Sequence, residues 1–353
     1  MKSKITRRRF IGEVSAIGTA AALSPKAVIG KAQSMKIIKP PALKKGDTVG
    51  LVTPASGVFE PQTIREGRET LASLGFRVKF GKNISRRYGY LAGQDDERAD
   101  DLHTMFEDEE VKAIVALRGG YGSMRLLDKL DYDLIRKNPK IVLGYSDITS
   151  LHLAIHSMTG LVTFHGPVAI SSFTDYTQKY FYKIVGSSEP IGEVKHPKPN
   201  SDLSPTAHFF TIKDGIARGQ LIGGNLTLMT ALLGTRYEFD TTGKILFIEE
   251  VGEEPYSIDR MLTQLSLAGK LDSVAGIIID RCRKCGPNDY KPAFSNTLSV
   301  EEVFIDRLKH LEIPVVFGFS IGHVADKPTL PLGIEVTLNA TNHTLAFEES
   351  AIR

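Results

Sequence analysis

Val142-Leu143-Gly144-Tyr145-Ser146-Asp147-Ile148-Thr149 places a hydroxyl where a buried-type strand gives way to a helix. One glycine permits the tight turn, and a serine at such a corner projects toward the cleft beyond the strand end. The N–H of Asp147 would sit at the positive end of the following helix, suited to a developing oxyanion. The match to Gly-x-Ser-x-Gly is incomplete, because Ile148 stands where the second glycine would be. A structural use competes with the chemical one: Ser146 or Asp147 caps the helix, and caps far outnumber nucleophiles.

A second glycine-rich turn, Arg118-Gly119-Gly120-Tyr121-Gly122, also follows a strand. Glycines such as Gly119 and Gly120 let backbone N–H groups approach a ligand closely, so the turn can bind phosphate, a carboxylate or an oxyanion. Arg118 and Tyr121 are the candidate substrate-binding side chains, Arg118 as the cation for a free carboxylate or, equally, as part of a structural ion pair. The run is neither a dinucleotide fingerprint nor a Walker loop, and a plain tight turn explains it equally well. A serine nucleophile needs a base. Two of the nine histidines follow strands directly, His165 in Phe164-His165-Gly166-Pro167 and His323 in Ile321-Gly322-His323. An acid to orient the imidazole stands at a strand end in Phe247-Ile248-Glu249-Glu250. Residue pattern alone leaves both choices open, His165 or His323 and Glu249 or Glu250.

These groups need elements to carry them. Buried-type strands are expected at Thr48–Thr53, Arg77–Phe80, Ala113–Leu117, Ile141–Leu143 and Leu161–Phe164. Helices are expected between them at Pro61–Leu74, Asp95–Phe106, Met124–Leu130 and Asp147–Met158. Such alternation gives a parallel sheet with helices on both faces, whose ligands bind beyond the carboxyl ends of the strands. Turns 54–57, 118–122, 144–147 and 165–167 fall there. Residues 171–206 carry four prolines and read as a linker with one helix near Tyr176–Val185. The second half, 207–350, reads as mixed α/β. Its strands are expected near 216–222, 244–250, 274–280, 315–319, 334–338 and 344–347, its helices near 225–233, 258–268 and 300–308.

Composition excludes several classes. The formal charge of +3 is concentrated at the start: residues 1–32 hold seven basic residues and one acid, leaving 37 basic against 40 acidic residues beyond. That body is no bulk polyanion binder, and no basic-aromatic stretch points to nucleic acid. Cys282 and Cys285, the only cysteines, are too few for a structural zinc site. They read as two thiols or one local bridge; a redox motif would stand at the start of a helix in a βαβ unit. No metal or cofactor is expected. Thr6-Arg7-Arg8-Arg9-Phe10-Ile11, followed by a short apolar run and small residues, looks like a twin-arginine export signal over 1–35. A periplasmic or otherwise exported protein, not held in the membrane after cleavage, is the expectation, with a mature N-terminal domain at 42–170.

Taken in order, these motifs resemble the LD-carboxypeptidases, the muramoyl-tetrapeptide carboxypeptidase family of serine peptidases. The resemblance rests on Arg118–Gly122 with Arg125-Leu-Leu127, Gly144–Asp147, His165–Pro167 and Gly223-Gly-Asn-Leu226. Glu249–Tyr256 with Asp259–Leu262, and Gly322-His323 before Thr329–Gly333, extend it. It implies a flavodoxin-like N-terminal sheet domain, a swivelling β/β/α-type C-terminal domain, and an active site at their interface. It also implies a triad of Ser146, His323 and Glu249, an oxyanion hole from Asp147 with Gly119 or Gly120, and a homodimer. The implied reaction is metal-free hydrolysis of the L,D-amide that releases terminal D-Ala from peptidoglycan-derived peptides. Two other readings stand beside it: an amidase acting on peptidyl-nucleotide antibiotics, which usually stacks the base on tryptophan where this chain has none, and an exported binding protein for cell-wall peptides.

Overall fold

The computed structural model describes residues 36–197 and 209–353. The expected signal segment 1–35, and the linker beyond residue 197, lie outside the described residues. The first half runs β1 (Thr48–Val52), α1 (Pro61–Ser73), β2 (Arg77–Phe80), α2 (Asp95–Glu107), β3 (Val111–Ala116), α3 (Tyr132–Lys137), β4 (Ile141–Gly144), α4 (Thr149–Thr159) and β5 (Phe164–His165). After α5 (Asp175–Gly186) and β6 (Gly192–Val194) come β7 (Phe210–Lys213), β8 (Ile216–Asn225), α6 (Leu226–Ala231), β9 (Ile245–Glu249), α7 (Pro255–Leu267) and β10 (Gly276–Asp280). The chain ends with α8 (Val300–Leu308), β11 (Val315–Phe319), β12 (Leu330–Pro331), β13 (Glu335–Asn339) and β14 (Thr344–Phe347).

Two sheets result. The first has the order β12-β5-β4-β3-β1-β2, parallel from β5 through β2. β1, β4 and most of β3 are buried on both faces, as near-continuous apolar strands of a parallel sheet require. The second is mixed, with the order β6-β14-β13-β8-β9-β10-β11-β7; β8 through β11 are its parallel centre. In that centre Asn225 pairs with Glu249, and Ile248 with Ile279. The carboxyl ends of β8, β9 and β10 therefore present Asn225, Glu249 and Asp280 side by side.

The structure departs from the expected elements where local pairing wins over apolar pattern. The expected helix Met124–Leu130 is only a 3-10 turn, Ser123–Leu126. Asp131 then starts a separate helix, α3, by accepting the N–H groups of Asp133 and Leu134. The expected strand Leu161–Phe164 shortens to Phe164–His165, because residues 160–162 pair with incoming Ile38 instead. β6 and β12, of three and two residues, are too short to announce themselves. β12 matters most: it lies antiparallel to β5, so a segment from the C-terminal half completes the first sheet.

The two sheets meet through Gly223-Gly224-Asn225. Gly223 has φ +140°, and a Cβ there would stand 2.0 Å from the Phe247 carbonyl oxygen. Gly224, at φ +146°, presses on Thr149 of α4, whose Oγ1 accepts the Asn225 N–H at 3.0 Å. Gly223→Ala combines left-side backbone strain with overpacking and should cost roughly 2–6 kcal/mol. The denaturant midpoint should fall accordingly; an unchanged midpoint would show that this junction yields freely.

Arg98 of α2 is 2% exposed. Its Nη1 donates to the carbonyls of Pro54 and Gly122, and its Nη2 to Asp95 at 2.6 Å. One buried guanidinium thus fastens turn 54–57 to turn 118–122 at the carboxyl edge of the first sheet.

Candidate active site

Ser146 follows β4 with φ +65°, in the left-handed region a non-glycine residue rarely occupies. Its neighbour Tyr145 is extended, and the 3-10 turn Ser146–Ile148 leads into α4. This is the strained corner that lifts a serine side chain off a sheet edge. Gly144 is required because a Cβ there would come within 2.9 Å of two carbons of Ile148. The residue that spoils the sequence motif is thus the one packed against the turn.

The 118–122 loop lies directly on this corner. A Cβ on Gly119 would be 3.1 Å from the Ser146 Cβ and 3.4 Å from its Oγ, so the loop backbone flanks the hydroxyl. Gly120, at φ +116°, has Ser56 Oγ where a Cβ would go. Asp147 does more than offer an N–H: its carboxylate accepts the Ser123 N–H at 2.8 Å, and its carbonyl accepts the Ser123 hydroxyl at 2.5 Å. It clamps the end of the glycine loop to the serine turn while 2% exposed, and burial raises its pKa. Tyr121 is 53% exposed, with its N–H on Ser56 Oγ at 3.0 Å and its ring edge-on to Tyr90. Arg118 is half-buried, its Nε donating to the Gly119 carbonyl at 3.3 Å.

The choices left open by the sequence separate by contact. Glu249 ends β9 fully buried and accepts the His323 Nδ1–H at 2.8 Å through Oε2. Glu250 turns the other way: it accepts from Asn225 Nδ2, the Val251 N–H, and the N–H and hydroxyl of Thr227, all within 2.9 Å. It serves the start of α6 and not a histidine. His165 is buried and directs Nε2 to the Ile321 carbonyl at 2.8 Å; burial pushes its pKa down to about 4, so it is a neutral strut. That strut holds the loop that carries His323.

His323 lies against Tyr145 with the two rings tilted 58° and their centroids 4.8 Å apart, which brings the imidazole alongside the residue preceding Ser146. Ser146 and His323 are not hydrogen-bonded to each other in this structure. Two of the three groups are in contact and the third is adjacent, an arrangement common before substrate tightens such sites. With Glu249 behind it, the imidazole can take a proton on Nε2 and hand it on.

Sequence reasoning missed Asp280. It ends β10 fully buried; Oδ1 accepts the N–H groups of Ile321 and Gly322, both at 3.0 Å, and Oδ2 accepts that of Cys282 at 3.1 Å. Burial, and then the Glu249 charge, push its pKa up to about 6. A Cβ on Gly322 would stand 2.6 Å from Asp280 and 2.8 Å from Glu249, so only glycine fits between these carboxylates and His323. The signal was available: an acid closing an apolar strand one register from Glu249. Cys282 and Cys285 are two buried free thiols in the loop that follows.

Three histidines behind the site are buried and neutral, each with one ring nitrogen on a carbonyl: His152 on Gly144, His156 on Leu161 and His165 on Ile321. Burial pushes them down to about 3, 4 and 4. These values lie below the ordinary histidine value near 6.5, so between roughly pH 6.5 and 4 the unfolded chain binds more protons and stability falls with pH. Asp280, raised to about 6, opposes one of the three. The net slope should be about 1–3 kcal/mol per pH unit. Denaturant midpoints at pH 7, 6 and 5 check this, and His156→Gln should flatten the slope.

The LD-carboxypeptidase N-terminal domain matches residues 49–166, and the LD-carboxypeptidase C-terminal domain matches residues 218–338. The "Probable murein peptide carboxypeptidase" of Bacillus subtilis (strain 168) is 43% identical over 314 residues, covering 88% of this chain and 94% of that protein. Among solved structures, the microcin C7 self-immunity protein MccF in complex with aspartyl sulfamoyl adenosine superposes with a TM-score of 0.81 at 29% identity, covering 90% of this chain and all of that one. The muramoyltetrapeptide carboxypeptidase from Oxalobacter formigenes superposes with a TM-score of 0.71 at 29% identity, covering 85% and 97%. With both halves of its mixed α/β architecture matched in order, the chain belongs to the LD-carboxypeptidase family of serine peptidases.

Proposed function

We propose that the protein is an exported carboxypeptidase that hydrolyses the L,D-amide of peptidoglycan tetrapeptides and releases the terminal D-Ala. The observation that carries this reading is the His323–Glu249 hydrogen bond at 2.8 Å, with the imidazole against the Tyr145 ring beside a serine held at φ +65°. In the mechanism, His323 Nε2 takes the Ser146 proton as Oγ attacks the amide carbonyl. Glu249 holds the Nδ1–H tautomer and balances the imidazolium. The N–H of Asp147, with that of Gly119 or Gly120, receives the oxyanion. His323 then protonates the departing amine, the D-residue leaves, and water attacks the acyl-Ser146 ester with His323 as base again. Arg118 and Tyr121, in the glycine loop beside Ser146, are the candidate substrate-binding side chains. The twin-arginine-type sequence at Thr6–Ile11 supports export, and the family resemblance supports a homodimer.

The likeness to the microcin immunity protein favours a second reading, an amidase for peptidyl nucleotides. The absence of tryptophan, on which such enzymes usually stack the base, speaks against it. Assaying muramyl tetrapeptide and an acyl-sulfamoyl nucleotide side by side tests both. Release of D-Ala from the first is expected; turnover of the nucleotide alone would exchange the readings. Binding of tetrapeptide without any cleavage would leave only a binding protein.

A further inference from the structure

Lys327 sits four residues beyond His323 and is 3% exposed. A buried ammonium normally has a carboxylate. Among the described residues this one has none in ion-pair contact, although Asp280, Glu249 and Asp326 lie close enough for their charges to act on it. Asp326 accepts the Thr174 hydroxyl at 2.5 Å, both oxygens of Asp280 are taken by backbone N–H groups, and Glu249 gives Oε2 to His323 while its Oε1 has no hydrogen-bond partner among the described residues. The backbone around Lys327 is fixed: its N–H donates to Thr177 Oγ1, which in turn donates to the Ala325 carbonyl, both at 3.2 Å. The ammonium itself lies 4.7 Å from the centre of the Tyr145 ring. Burial lowers its pKa to about 8, which leaves it mostly charged at neutral pH.

The same Tyr145 ring carries His323 at 4.8 Å. The group that protonates a departing amine must stand beside the departing residue. In a carboxypeptidase that residue bears a free carboxylate on the carbon next to its amine. Lys327 shares one aromatic ring with the general acid, which puts a cation without an ion-pair partner close to where that carboxylate must lie. Arg118, by contrast, belongs to the glycine loop on the serine side.

We propose that Lys327 is the receptor for the free carboxylate of the departing residue, and so the side chain that makes this site prefer a chain terminus to an internal bond. The inference rests on the carboxypeptidase reading above. Its rival is that Lys327 only offsets the buried charges of Glu249 and Asp280. That role would affect every substrate alike.

The test is the ratio of kcat/KM for a tetrapeptide with a free C-terminus to that for its C-terminal amide. This ratio does not depend on how much of a variant is folded. Wild-type protein should favour the free acid, Lys327→Met should lower the ratio about 10- to 100-fold, and Lys327→Arg should restore part of it. If Lys327→Met turns over neither peptide, binding of acid and amide to Ser146→Ala and to Ser146→Ala/Lys327→Met gives the same ratio by calorimetry. A ratio unchanged by Lys327→Met overturns the proposal while leaving the hydrolase intact. Failure of wild-type protein to cleave either peptide removes both.

Discussion

Replacing Ser146 with alanine is expected to lower kcat for D-Ala release by about a million-fold, the size of loss seen when a serine peptidase loses its nucleophile. The physical case is the corner itself. A φ of +65° is unfavourable for serine, with strain on the order of 1–3 kcal/mol, and the fold maintains it by packing Ile148 under Gly144 and pinning Asp147 to Ser123. A residue that merely capped α4 would not need that geometry, and its side chain makes no cap hydrogen bond there. Alanine suffers the same backbone strain, so stability should change little. Tetrapeptide binding should persist, because none of the binding groups is touched. A stopped-flow or chromatographic assay of D-Ala release, with calorimetry for binding, checks both halves.

The second large effect concerns Glu249. Glu249→Gln keeps size and shape but removes the charge that balances imidazolium. An amide nitrogen facing Nδ1 would also force the proton to Nε2, where the ring could no longer accept from serine. A loss of about 10,000-fold in kcat, with KM nearly unchanged, is expected by the logic of such triads. Stability should move the other way or not at all. Glu249 is fully buried, its Oε1 has no hydrogen-bond partner among the described residues, and its charge raises the pKa of Asp280. Removing one of two neighbouring buried carboxylates relieves that repulsion. A Gln variant that retains a tenth of wild-type kcat would mean that another group orients His323.

Much of this was legible in the chain, for reasons that can be named. The first sheet announced itself because its strands are buried on both faces and read as unbroken apolar runs between amphipathic helices. The serine corner was legible because a glycine, a serine and a helix start are all local. The partners were not local. Residue pattern left His165 against His323 and Glu249 against Glu250, and only the family resemblance chose between them. The structure gives the contacts behind each choice: adjacent residues in a strand point to opposite sides, so Glu249 and Glu250 cannot both face the histidine. Arg98, Asp280 and Lys327 were overlooked because charged residues are read as surface by default. All three are buried, and Arg98 and Asp280 are held by backbone groups that come together only in the fold. β12 was illegible for another reason. Two residues carry no periodicity, and its pairing with β5 crosses more than 160 positions of sequence.

A covalent intermediate is expected, in which the acyl group of the peptide rests on the Ser146 oxygen during turnover. Mass spectrometry of protein quenched early in the reaction with a slowly deacylated tripeptidyl ester, or after treatment with a fluorophosphonate, locates that group directly. The expected result is a single added mass on the peptide containing Ser146, greatly slowed in His323→Ala and absent in Ser146→Ala. An adduct on any other residue, or undiminished labelling of the Ser146→Ala protein, would contradict it.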